Sequence, residues 1–133
     1  MPESLNEAEI HPAYLYGRLL RVFEEIQYAA LGEVNASVVD KFYGTFSAAP
    51  ALIFARLFAN AQNHLRKLRG ERPGAAVELD RRLSEVVRQL PPAGPAGTLS
   101  LADQGRFALG YYHQKAKTFE EIAARKREKA EAK

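Results

Sequence analysis

With 133 residues and a net charge of +3, the chain is one domain's worth of sequence, long enough to bury a core without covalent or metal staples. Its lack of cysteine excludes disulfide frameworks, thiolate metal sites and thiol nucleophiles, and fits a reducing compartment. No apolar run nears the ~20 residues of a membrane span, and the acidic, polar start MPESLNEAEIHP is unlike a signal peptide, so the expected location is the cytoplasm, with no membrane partner.

Apolar spacing predicts helices along the chain. Leu15, Leu19, Val22, Phe23, Ile26 and Ala30 form one arc of a first helix over about 12–31, with Pro12 in its first turn and Gly32 just past its end. Asn35 is placed to cap a second helix carrying Val38, Val39, Phe42, Tyr43 and Phe46. Gly44 makes that helix the least secure, since an interior glycine costs ~1 kcal/mol against alanine. Ser47 and Pro50 open a third helix over roughly 48–69, with an inner stripe of Phe54, Leu57, Phe58, Ala61, Leu65 and Leu68 and Gly70 as its stop. A fourth spans about 74–90, with Leu79, Leu83, Val86, Val87 and Leu90 inward. The breaker cluster PPAGPAGT, 91–98, reads as a loop.

Ser100 and Asp103 form an N-cap arrangement for a fifth helix, which runs to about 124 and dissolves into ARKREKAEAK. The expected architecture is a single all-α domain over 1–133, a compact bundle of about five helices. Residues 1–10 and 125–133 are expected as frayed tails.

On a wheel of ~100° per residue, Phe107, Ala108, Tyr111, Tyr112, Phe119, Ile122 and Ala123 share one broad side of the fifth helix. Arg106, Gly110, His113 and Lys117 share the other. Gly110 either lets a phosphate approach between cations or marks tight helix–helix packing beside solvated charges. The third helix repeats the pattern with Arg56, Asn60, Asn63 and Lys67, and the fourth with Arg81, Ser84 and Arg88. RKLRGER (66–72) adds four cations and one acid.

Charge is distributed unevenly. Residues 1–40 hold two cations and seven acids, whereas 41–133 hold 17 cations and nine acids. Cations and amides contact phosphate and sugar oxygens, and stripes of them suit sequence-indifferent tracking of a backbone. The candidate nucleic-acid contacts are therefore Arg56, Asn60, Asn63, Lys67, Arg81, Arg88, Arg106, His113 and Lys117, expected to form one contiguous track. The aromatics fall mostly inward, which favours electrostatic tracking over base stacking.

Catalysis has little support. The three histidines include His11 and His64, neither with a carboxylate at i+3 or i+4. HExxH, Walker, dinucleotide and GxSxG patterns do not occur. The adjacent pairs Glu24-Glu25 and Glu120-Glu121 diverge on a helix. A metal site would need ligands from separate helices. The expectation is a non-enzyme without metal or cofactor.

DQGRFALGYYHQKAK (103–117), VNASVVDKFYGTFSAAPALIFARL (34–57) and YLYGRLLRVFEEIQ (14–27) together resemble the C-terminal helical domain of the large subunit of type I-C CRISPR effector complexes, over about 12–119. The glycine–tyrosine–tyrosine–histidine–glutamine string is the most specific part. A chain of this length starting at methionine resembles the small subunit of the type I-C Cascade, made separately from the large-subunit gene. The resemblance implies a non-catalytic bundle that lines a crRNA-guided complex beside the large subunit, the backbone subunits and a second copy of itself. It also implies a brace for the opened target DNA, particularly the displaced non-target strand. The acidic first helix is expected to face protein. The alternative is a purely structural adaptor whose stripes meet acidic protein surfaces.

Overall fold

The computed structural model describes residues 5–132. Five helices follow one another: α1 Pro12–Leu31, α2 Val38–Ala48, α3 Pro50–Glu71, α4 Pro73–Val87 and α5 Leu101–Glu131. The all-α bundle expected from the apolar spacing is what forms.

Helix α1 is the axis. Every residue from Ala13 to Leu20 is buried, followed by Val22, Phe23, Ile26 and Ala30. A helix covered on all sides in its first turns must be surrounded, and α2, α3, α4 and α5 all pack on it, α5 most extensively. His11 Nδ1 accepts from the Ala13 N–H (3.2 Å), and Gly32 closes the helix at φ 72°, a left-handed value that favours glycine. Phe46 sits at the centre of the core, with Tyr16, Phe23 and Phe107 around it at 5.7–6.4 Å between ring centroids.

Prolines set the breaks. Ala49 (φ −146°, ψ 76°) precedes Pro50 and Arg72 (φ −143°, ψ 78°) precedes Pro73. The proline ring pushes the preceding residue out of the helical region, so α2 meets α3, and α3 meets α4, across one residue each. Gly70 therefore does not stop α3, which continues to Glu71. Helix α4 likewise ends at Val87, short of 90, ahead of Pro91-Pro92.

The cap of α2 is Ser37, not Asn35. Ser37 Oγ accepts from the Asp40 N–H (3.2 Å) while Asp40 Oδ2 accepts from the Ser37 N–H (3.0 Å), a reciprocal pair that Asn35 could not form with Val38 at N3. The 91–98 segment is a loop, pinned by Ala51 N–H to Ala96 O (2.9 Å), Leu99 N–H to Ala48 O (2.8 Å) and Ala96 N–H to Tyr16 Oη (3.1 Å).

The described parts of the two tails have defined placements. Residues 1–4 and 133 lie outside the described residues. The Asn6 N–H donates to Tyr14 Oη (3.0 Å) and Glu7 pairs with Lys117, which ties this segment to α1 and α5. Helix α5 continues to Glu131 as an exposed extension, because its alanines, lysines, arginines and glutamates are strong helix formers even without an apolar stripe.

Gly44 and Gly70 lie inside helices with nothing near a Cβ added at either. Gly44→Ala and Gly70→Ala are each expected to raise stability by about 0.5–1 kcal/mol, read as a higher melting temperature. A fall would mean these segments are not helical.

Candidate nucleic-acid interface

Four of the nine candidate side chains line two hollows on different sides of α1. Arg56 and Asn60 of α3 line a hollow of about 110 Å³ together with Lys41 and Phe42 of α2 and His64 of α3; Phe23 and Gln27 of α1 form its back. Arg81 of α4 and Lys117 of α5 line a cleft of about 30 Å³ with Arg18 of α1. Nine residues separate Arg18 from Gln27, about 180° around a helix. The nine candidates therefore do not form the expected single contiguous track: two pairs of them sit on opposite sides of the central helix and the rest lie apart from both.

Among the described residues, no acid lines the α2–α3 hollow. The Arg56 guanidinium lies 5.0 Å over the Phe42 ring, a cation–π placement that holds the head group at the surface. Lys41 and Arg56 are exposed and make no ion pair among the described residues. Burial, helped by the nearby Lys67 charge, holds the His64 imidazole below its ordinary value, so it is neutral at pH 7. Asn60 is exposed beside them, and Asn63 accepts weakly from Arg66 Nη1 (3.4 Å).

Lys67 has a different local task. Its Nζ donates to Ala30 O (2.9 Å) and pairs with Glu71 (2.9 Å), and Arg72 Nη2 donates to Ala29 O (2.8 Å). Two cations from the RKLRGER run thus satisfy carbonyls at the C-terminal end of α1, where the helix dipole favours positive charge.

The remaining stripe cations are mostly paired with acids. Arg81 meets Glu78 (2.5 Å) and Glu85 (2.6 Å), Arg106 meets Asp103 (2.7 Å), and Lys117 meets Glu7. Such exposed pairs are worth ~0–1 kcal/mol, so a phosphate can compete for these cations. Arg88 is exposed without an acidic partner among the described residues.

His113 and Gly110 are not on an outward cationic face. His113 is buried, with Nδ1 2.9 Å from Tyr14 Oη. Gly110 packs on α1: an added Cβ would lie 2.9 Å from the Tyr14 carbonyl carbon and nearer its oxygen. Gly17 of α1 makes the matching contact with the Phe107 carbonyl. Of the two readings of Gly110, helix–helix packing is the one formed. The inward face of α5 is Phe107, Gly110, Tyr111, His113, Gln114 and Thr118, leaving Tyr112, Phe119 and Ile122 exposed at 58%, 56% and 43%.

The acids of the first segment are largely matched within the chain. Glu24 accepts from Arg21 (2.6 Å) and Tyr111 (2.7 Å); Glu25 accepts from Arg21 and Arg82 (3.1 Å each) and from Thr118. Burial, followed by the pairing with Glu24, pushes the Tyr111 hydroxyl far above its ordinary value. Beside them, Tyr28, Val34, Phe119 and Ile122 line a broad groove of about 700 Å³ between α1, α4 and α5.

Three further cationic features escape single-helix wheels. Lys41 joins Arg56 only across the α2–α3 corner, and Arg18 is hidden in the apolar run YLYGRLL. Arg125, Lys126, Arg127 and Lys129 become an exposed set because α5 continues through the tail.

Among the described residues, no helix is long and apolar enough to cross a membrane, and no group of three or more His, Asp or Glu is placed to hold a metal. No curated protein matches the chain. The family model described as CRISPR-associated protein (Cas_Csd1) matches residues 1–119, spanning α1 to α4 and much of α5. As the sequence resemblance implied, the chain belongs to this family of CRISPR-associated proteins.

Proposed function

We propose that the chain is the non-catalytic small subunit of a type I-C Cascade. In this reading it braces the crRNA-guided complex in the cytoplasm and steadies the opened target through its sugar–phosphate backbone, chiefly the displaced non-target strand. The observation that carries the reading is the acid-free α2–α3 hollow, where Lys41 and Arg56 stand exposed beside Asn60. Exchange of one duplex for another during guide pairing is nearly balanced, so a few backbone contacts are enough to tip it. The large subunit, the backbone subunits and a second copy are the proposed protein neighbours.

The structural-adaptor reading draws support from the exposed Tyr28, Phe119 and Ile122 around the α1–α4–α5 groove, a surface suited to a neighbouring subunit. The two roles use different faces and are compatible. What separates them is whether the chain also touches DNA.

A salt series of single-stranded oligonucleotide binding, by the chain alone and in the assembled complex, tests this. Direct backbone contact predicts binding that weakens on a logarithmic salt scale with a slope near −0.7 per neutralised phosphate and little dependence on sequence. Complexes with and without the chain that share one slope would leave only the adaptor role.

A further inference from the structure

The second hollow contains an anomaly that the surface stripes do not explain. Arg18 is 4% exposed, enclosed by α1, α4 and α5. Its Nε donates to Gln114 Oε1 (2.9 Å), but its Nη1 is buried with no hydrogen-bond partner among the described residues. No carboxylate pairs with it among the described residues. Burial lowers its pKa from the usual arginine value, although a guanidinium remains charged in a protein. A buried cation with an unmatched donor is costly unless a negative group completes it.

The surroundings supply the rest of a site. The cleft of about 30 Å³ beside Arg18 is also lined by Arg81, Arg82, Lys117 and Gln114, against two acids, Glu85 and Glu121. Each acid already has a cation, Glu85 with Arg81 (2.6 Å) and Glu121 with Arg82 (2.5 Å). One oxygen-sized centre needs roughly 10–15 Å³ of such space. The cleft therefore admits about two oxygens and excludes a nucleobase.

We propose that this α1–α4–α5 cleft is a seat for one backbone phosphate of single-stranded DNA, with Arg18 at its floor and Arg81 and Lys117 at its rim. As the Lys117 side chain swings from Glu7 and opens the rim, the two non-bridging oxygens enter; one accepts from Arg18 Nη1 and the other from Lys117, while Arg81 keeps Glu78 and Glu85 neutralised. The phosphodiester keeps its charge and no bond is made or broken. This proposal rests on the nucleic-acid reading above, and adds a defined anchor point on the side of α1 opposite the α2–α3 hollow.

The probe is a twelve-nucleotide oligothymidylate, titrated into the full chain at low salt. The Arg18 side-chain Nε–H resonance of the wild type is expected to shift on titration. Arg18→Gln is expected to weaken binding about tenfold, the worth of one hydrogen bond between charged groups, and to flatten the salt slope by about 0.7. A merely structural arginine would alter melting but not the slope. If Arg18→Gln does not fold, the wild-type resonance decides alone: a shift supports the seat and no shift overturns it. An unchanged slope in a folded variant also overturns it, as does a shift produced by an oligoglutamate peptide but not by the oligonucleotide. In these cases salt-dependent binding through Lys41 and Arg56 can still stand. Loss of oligonucleotide binding by the wild-type assembled complex at every salt concentration would end both proposals.

Discussion

Replacing Gly110 by alanine is expected to destabilise the protein by about 3 kcal/mol and to lower its melting temperature by about 10 °C. The added methyl meets backbone, not a yielding side-chain tip: the Tyr14 carbonyl carbon at 2.9 Å and the Arg18 nitrogen at 3.2 Å. Gly17→Ala meets the Tyr111 nitrogen at 2.8 Å and the Phe107 carbonyl carbon at 2.9 Å. Two helices touching backbone to backbone relieve such an overlap only by moving apart. Separation would also loosen Phe107, fully buried below the crossing, and the Tyr14–His113 bond beside it. A domain of this size has ~5–15 kcal/mol in all, so the double variant should be largely unfolded. Thermal or denaturant melts check this against Gly44→Ala and Gly70→Ala, whose added methyls meet nothing. If all four variants melted alike, α1 and α5 would not cross as described.

That crossing also explains why the sequence misled about α5. Its inward stripe Phe107, Gly110, Tyr111, His113, Gln114 and Thr118 follows helical spacing, but glycine, histidine, glutamine and threonine give it no apolar signature. Hydropathy alone drew the face toward Tyr112, Phe119 and Ile122. Closest approach, set by Gly17 against Gly110, chose otherwise. For α1 the sequence shows one apolar arc from Leu15 to Ala30; its burial on all sides from Ala13 to Leu20, Arg18 included, comes from the four helices packed around it, which no single-helix pattern shows.

Caps followed the same division. Ser100 with Asp103 was readable because the partners lie three residues apart (Ser100 Oγ accepts from the Asp103 N–H at 3.1 Å). The proline stop at 72–73 overrode nearby Gly70 because the proline restriction is steric and glycine's is only a preference. Charge was the least legible property. The acidic first segment and basic remainder suggested an outside anion, yet Glu7–Lys117 and Glu25–Arg82 join the two within the fold. Spacing along one helix cannot show which acid a cation will meet on another. It can show the stripe containing Arg56, but not that Lys41 of α2 completes its surface.

The proposed hold on DNA runs through cations that the fold leaves without acidic partners among the described residues. Lys41 and Arg56 meet that condition in an acid-free hollow, whereas Lys67 and Arg72 cap α1. The pair Lys41→Glu with Arg56→Glu should therefore weaken target opening by about 10- to 100-fold near 0.1 M salt, since each reversal replaces a phosphate contact with repulsion. It should leave the fold and the composition of the complex unchanged. Lys67→Glu with Arg72→Glu should instead cost about 1 kcal/mol of stability through the α1 terminus. The measurement is R-loop formation by assembled complexes carrying each pair, with subunit stoichiometry determined on the same samples. Weakened opening in intact complexes bearing the Lys41 and Arg56 reversals is the predicted result. Normal opening with those reversals, or loss of the subunit from the complex while DNA affinity persists, would contradict it.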